Sequence, residues 1–250
     1  MGSDRVPPAR RAFGRATDAA LAGAATVQAV VLALLLPGLA AARLELPVLA
    51  SFGAPVATGA DGADPLDPVT LPVASVAPLA AALVLFVVLA VGRVAALAGP
   101  RHARLVGWVE WSQASAIVLF LVAQLNGIAE VAALVPLYAI TAAAALLIAI
   151  DGPARGLRRP AAIAAIIGIV PWGVVAFAQL GAGVVTEPVP VAVRVLTLAM
   201  LSIAVIAWGV AWRHPLASTS PGPTPTDVAM PVLGLTATTI LAWGLVIGFA

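Results

Sequence analysis

The side chains best suited to chemistry lie on one apolar stretch of the sequence, where Glu110, Gln113 and Gln124 interrupt the hydrocarbon residues. Successive residues of a helix turn by 100°, so these three side chains lie within about 60° of one another. Such a polar stripe along one face of a helix is typical of two structures. One is the wall of a cavity that holds a ligand or protons, and the other is a helix–helix seam joined by hydrogen bonds. We expect a seam for the two Gln residues and an internal site for Glu110, because a carboxyl group inside a membrane is costly unless it is used.

The position of Glu110 makes two arginines the nearest candidate partners, Arg93 and Arg104. A long basic side chain near a helix end can also reach outward to the lipid headgroups. We expect this outward arrangement for both arginines, which leaves Glu110 without a cation.

Four further candidates lie on the last apolar stretch, where Thr236, Thr238 and Thr239 precede Trp243. Thr in a membrane helix most often bonds the carbonyl four residues earlier, so the cluster is not by itself a site.

The tryptophans divide into two predicted groups. Trp172 and Trp208 are candidates for the walls of a pocket, whereas Trp108, Trp111 and Trp212 are typical of the belt at a membrane surface.

The composition excludes several kinds of chemistry. There is no Cys, and the only two His residues, His102 and His214, accompany Arg in short joints, so we expect no metal site. All 13 basic residues are Arg, so no side chain can form an imine with an aldehyde. One carboxyl group has no second acid, base or nucleophile beside it, and we expect no catalytic residues and no enzyme.

These candidates must be positioned by membrane helices, because 62% of the 250 residues are apolar and only 10% are charged. Runs of roughly 20 apolar residues are long enough to cross the hydrocarbon layer as helices. The prediction is an all-α polytopic membrane protein, a single domain over residues 1–250 with seven transmembrane helices. The predicted spans are Thr17–Ala42, Val73–Leu97, Leu105–Asn126, Ala129–Ile150, Pro160–Leu180, Val189–Trp212 and Asp227–Ala250.

Two segments lie outside the predicted spans: a basic head over residues 1–16 and a polar loop over residues 43–72. Within the loop, Leu46–Ala57 carries Val, Phe and Leu around Gly53 and Pro55, which is compatible with a short β-hairpin.

The distribution of arginine predicts the orientation. Of the 13 arginines, 11 lie in the N-terminal segment and in or beside the second, fourth and sixth connections between spans, which are all on one side of the membrane. The connections on the other side hold acidic residues with only Arg43 and Arg194. The positive-inside rule places the N-terminus in the cytoplasm and the C-terminus outside, in the cell membrane. The arginines are separate loop anchors in contact with the lipid bilayer, and they do not indicate nucleic-acid binding.

Several motifs resemble those of the heliorhodopsins, a family of seven-helix retinal proteins whose N-terminus is cytoplasmic. The similarity touches most spans in the same order. The matching segments are Arg10–Phe13 with Gln28, Trp108–Ser112 (WVEWS), Leu125–Glu130 (LNGIAE), Leu137–Ala142 (LYAITA) and Gly168–Trp172 (GIVPW).

The resemblance also implies that the retinal-bearing lysine of the family is absent from this chain. The last span, Leu233–Trp243, aligns without a gap to the family's final helix and has Thr238 where the family has the retinal-bearing lysine. Glu110 matches the counterion of the protonated imine, Ala25 replaces a histidine, and Ala204–Ala211 has apolar residues where the family's sixth helix has polar ones. The resemblance thus implies the rhodopsin-like bundle without covalent retinal.

Three functions follow as expectations. The first is a retinal-free binding, regulatory or scaffold module, whose partner is an apolar molecule or lipid in the former retinal cavity or a protein at the Arg-rich cytoplasmic face. Its pocket candidates are Glu110, Gln113, Trp172, Thr238 and Trp243. The second is a photoreceptor that holds retinal or carotenoid non-covalently, and the third is a small transporter or channel. The resemblance also makes a homodimer plausible.

Overall fold

The computed structural model of the protein describes residues 8–52, 69–97, 100–150, 159–185, 188–213 and 225–249. Within these ranges the chain forms seven helices and one two-stranded sheet. The elements are α1 (Pro8–Leu35), two short 3₁₀ turns (Leu36–Gly38 and Ala40–Arg43), β1 (Leu46–Phe52), β2 (Val69–Val76), α2 (Pro78–Ala96), α3 (Pro100–Leu125), α4 (Val131–Ile150), α5 (Arg159–Val185), α6 (Val191–Arg213) and α7 (Pro225–Gly248).

Most of these helices have the length and composition of membrane spans. Six of them are long and apolar enough to cross a bilayer, and the apolar part of α4, Val131–Leu147, is somewhat shorter. Large apolar side chains such as Phe177, Leu198 and Ile247 point away from the bundle and are well exposed. This is the make-up of a multi-pass helical membrane protein, in which lipid covers the outward apolar face.

Proline explains where two observed elements differ from the predicted spans. The first span was expected to continue to Ala42, but α1 ends at Leu35, because Pro37 cannot donate the backbone hydrogen bond that would continue the helix. The second span was expected to begin at Val73, but residues 73–76 belong to β2. The helix begins only at Pro78, whose fixed φ suits a first helical turn.

The two strands form an antiparallel pair between α1 and α2. Their register joins Leu46 to Val76 and Phe52 to Val69, with one irregularity after Val48. The first strand lies within the stretch predicted to form a hairpin, whereas the second lies beyond its predicted end at Ala57. Residues 53–57, which include the predicted turn, lie outside the described part of the chain.

Helix α3 occupies the centre of the bundle and contacts α2, α4, α5, α6 and α7. Its buried core side chains include Leu119, Leu121 and Val122. Helices α1, α3, α5 and α7 run toward the hairpin, and α2, α4 and α6 run away from it. We call the end that carries β1 and β2 the hairpin end, and the end where α2 passes into α3 the opposite end.

At the hairpin end, α3 finishes in a Schellman turn. Gly127 has φ +86°, a conformation that favours glycine, and the N–H of Ile128 donates to the carbonyl of Ala123 at 3.0 Å. The turn brings the following residues to the strands, where the N–H of Leu49 donates to the carbonyl of Ala129 at 2.9 Å.

Candidate functional site

A cleft opens between α3, α4, α5, α6 and α7. Its walls include one tryptophan from each of three helices: Trp111 of α3, Trp172 of α5 and Trp208 of α6. The space between the lining side chains, together with the open mouth of the cleft, is about 580 Å³. The remaining lining residues are Ala114, Ser115, Val118, Thr141, Ala145, Met200, Ile203, Ala204, Gly234 and Ala237.

The two hydroxyl groups in the cleft are already engaged as donors. Ser115 Oγ donates to the carbonyl of Trp111 at 2.7 Å, and Thr141 Oγ1 donates to the carbonyl of Leu137 at 2.8 Å. Only oxygen lone pairs remain for a bound molecule, so the hydroxyls can accept a hydrogen bond but not offer their own. The cleft is otherwise apolar and aromatic, as small-molecule pockets commonly are.

A glycine on α5 makes room for one wall of the cleft. A Cβ atom at Gly168 would overlap the six-membered ring of Trp208. The indole of Trp208 therefore lies directly against the α5 backbone, and only glycine permits this approach. Gly173, on the same helix, has no neighbouring atom within 4 Å of such a Cβ and faces outward.

Glu110 lies in a buried ion cluster that joins three helices toward the opposite end. Its Oε2 accepts from Arg93 Nε at 3.1 Å and from Arg93 Nη2 at 2.5 Å. The third donor of the guanidinium, Nη1, lies 3.2 Å from Oδ1 of Asp18 on α1. Arg93 is 4% exposed and Glu110 is 5% exposed. The prediction that Arg93 reaches out to the headgroups is therefore wrong.

A second glycine allows this cluster to form. A Cβ at Gly92 would overlap Glu110 Oε2, so the carboxylate lies against the α2 backbone beside Arg93. Glu110 consequently faces α2 and is not among the residues that line the cleft.

The predicted polar stripe on α3 meets three different partners. Glu110 pairs with α2, and Gln113 Oε1 accepts from the hydroxyl of Tyr138 on α4. Gln124 Nε2 donates to the carbonyl of Pro47 on β1 at 3.3 Å. The structure thus does not bring the three side chains together at one site, and each joins α3 to a different neighbour.

Two threonines of the last helix, Thr236 and Thr238, bond the carbonyl four residues earlier, as predicted. Thr238 is fully buried, and its Oγ1 donates to the carbonyl of Gly234 at 3.0 Å. Thr236 does the same to Val232. Thr238 does not itself line the cleft, although Gly234 and Ala237 on the same helix do.

Trp243 lies at a seam between α1 and α7 and does not face the cleft. Its Nε1 donates to Gln28 Oε1 at 2.7 Å, while Gln28 Nε2 donates to Thr239 Oγ1 at 3.1 Å. Of the five predicted pocket residues, Trp172 alone is in the cleft lining.

Sequence reasoning misplaced or missed several residues of these two sites. Trp108 and Trp111 were expected in a surface belt, but both are 7% exposed, and Trp111 is a cleft wall. Asp18 is a member of the ion cluster that the sequence could have indicated, because it is a carboxylate inside the first apolar run. The side chains of Arg104, His102 and Trp212, and all of His214, lie outside what the structure describes.

The described residues contain no group of three His, Cys, Asp or Glu side chains placed to hold a metal ion. Comparison with models of known families finds no match to the chain, and comparison with curated proteins finds no similar sequence.

Proposed function

We propose that the chain is a heliorhodopsin-like membrane protein that holds an apolar small molecule non-covalently in the cleft lined by α3, α4, α5, α6 and α7. The observation that carries the proposal is the cleft wall, where Trp111, Trp172 and Trp208 from three helices face one space. Flat indole faces bind extended apolar molecules through large contact areas. Thr238, which the resemblance aligns with the retinal-bearing lysine, has no amine with which to fix such a molecule covalently.

The proposed orientation places the N-terminus in the cytoplasm and the C-terminus outside, in the cell membrane. It is supported by the arginine distribution together with the seven described helices. In this orientation the hairpin end is extracellular and the Arg93 cluster lies toward the cytoplasm. A homodimer and a protein partner at the Arg-rich cytoplasmic face belong to the same proposal.

The contacts of α3 favour binding over transport. A transport path needs polar groups that face a common passage. Glu110, Gln113 and Gln124 instead pair with α2, α4 and β1, so within the described residues their contacts favour helix positioning.

The test is a binding titration of the purified protein with all-trans-retinol, followed by quenching of tryptophan fluorescence. Ala204 lines the cleft, so Ala204→Leu adds apolar volume where the ligand would lie. We expect it to weaken binding by at least about tenfold. The matched control is Ala176→Leu on the exposed side of α5, which should leave the Kd unchanged. Equal affinity in all three proteins would show that the ligand binds elsewhere.

A second measurement distinguishes a binding protein without photochemistry from a photoreceptor that holds its pigment non-covalently. After incubation with retinal and denaturation, the proposal predicts free retinal and an unmodified chain. A visible absorption band that bleaches in light and recovers in the dark would instead favour the non-covalent photoreceptor.

A further inference from the structure

We infer that Arg93 determines whether the cleft prefers a charged or an uncharged ligand. Because Arg93 forms an ion pair with Glu110, the cleft binds an uncharged molecule more tightly than a cationic one of the same shape. This inference rests on the proposed function, because it concerns the specificity of that same cleft. It assigns a role to an arginine that neither lines the cleft nor contacts its tryptophans.

Glu110 is adjacent in sequence to residues that line the cleft, although its carboxylate contacts α2. It immediately precedes Trp111 on α3 and stands one helical turn before Ala114, both of which line the cleft. Within the described residues the cleft lining contains no ionisable side chain. Glu110 is therefore the carboxylate on α3 that adjoins this lining in sequence.

The guanidinium turns that carboxylate away and balances its charge. Of the three hydrogen bonds that Arg93 makes within the described residues, two go to the same oxygen, Glu110 Oε2. The side chain of Asp18 is 19% exposed and makes one contact with Arg93 at 3.2 Å. Water screens Asp18 more than it screens Glu110, so we assign the tighter, buried pair to Arg93 and Glu110.

A cationic ligand would lose its hydration in this cleft without gaining an unpaired anion. Burial of an unpaired charge is costly, whereas an uncharged molecule of the same shape does not incur that cost. Removal of Arg93 leaves Glu110 without its cation beside the cleft. The freed carboxylate, one helical turn before Ala114, can then pair with the ammonium group of a ligand bound in the cleft.

The experiment compares two probes that share one polyene body, all-trans-retinol and the corresponding primary amine, at a pH where the amine is charged. The measured quantity is the ratio of their Kd values for each protein. We expect the wild type to prefer the alcohol by at least about tenfold, and Arg93→Gln to shift the ratio toward the amine by at least about tenfold. The double variant Arg93→Gln with Glu110→Gln should return to the wild-type preference. Arg194→Gln, at an exposed arginine of α6, is the matched control and should not change the ratio.

Two further variants keep the inference testable if Arg93→Gln does not fold. Gly92→Ala retains every charge but places a methyl group where Glu110 Oε2 lies, and it should shift the ratio toward the amine. Glu110→Gln leaves Arg93 in place and should not raise affinity for the amine.

The possible failures are distinguishable. If both probes bind but neither Arg93→Gln nor Gly92→Ala changes the ratio, the role of Arg93 is wrong and the cleft remains a binding site. If Glu110→Gln raises affinity for the amine, the role of Arg93 is also wrong. If neither probe binds the wild type, the proposed function fails and this inference fails with it.

Discussion

Replacement of Arg93 by Gln is expected to destabilise the protein more than any other single change in the ion cluster. The substitution removes the guanidinium that satisfies Glu110 twice and Asp18 once, at 2.5, 3.1 and 3.2 Å. Glu110 is then left buried without a cation. Loss of one partner from a buried ion pair typically costs about 3–5 kcal/mol. The measurement is thermal unfolding in detergent, followed by circular dichroism.

Replacement of the other partner, Glu110, should lower the free energy of unfolding by a smaller amount. Glu110→Gln removes a charge but leaves an acceptor oxygen, and Arg93 keeps its contact with Asp18, so we expect a loss of about 1–3 kcal/mol. The double variant should be more stable than the sum of the two single changes predicts, by about 1 kcal/mol or more. Arg194→Gln serves as the control at an exposed position.

Two results would refute this reasoning. One is an Arg93→Gln protein that unfolds at the same temperature as the Arg194→Gln control. The other is strict additivity in the double variant, which would show that Arg93 and Glu110 do not interact.

Three further predictions concern other contacts. Gly168→Ala should displace the indole of Trp208 and alter the tryptophan emission spectrum, whereas Gly173→Ala on the same helix should leave it unchanged. Gln28→Leu removes the hydrogen-bond partners of the α1–α7 seam and should lower the free energy of unfolding by about 1 kcal/mol, measured by thermal unfolding; an unchanged Tm would contradict the role of the seam. Glu130→Ala removes the carboxylate that accepts from the backbone and side chain of β1, so amide hydrogen exchange over residues 46–52 should accelerate; unchanged exchange would show that this contact does not hold the strand.

The helices were predictable because their signal is local. An apolar run of about 20 residues specifies a membrane helix almost regardless of its neighbours. The differences occur where local chemistry interrupts the run, at Pro37 and before Pro78. The second strand was missed because its last residues, 73–76, run directly into the apolar stretch that forms α2, and its pairing with β1 is not visible in its own composition.

The side-chain partners were less predictable because they depend on which helix faces which. Arg93 is 17 residues from Glu110 in sequence, and its position near a helix end is equally typical of an arginine that reaches the headgroups. Trp111 shows the same limit, since a tryptophan in the first third of a predicted span fits both a surface belt and a cleft wall. Gly92 and Gly168 had no signal of their own, because their role depends on side chains from other helices.

The most direct test of the central claim is the intact mass of two proteins after incubation with retinal and reduction with borohydride. The claim is that the chain keeps a rhodopsin-like cleft able to admit a polyene but lacks the amine at position 238. We expect Thr238→Lys to gain the mass of a single reduced retinyl adduct and the wild type to remain unmodified. An unmodified Thr238→Lys protein that is folded, or a covalently modified wild type, would contradict the account.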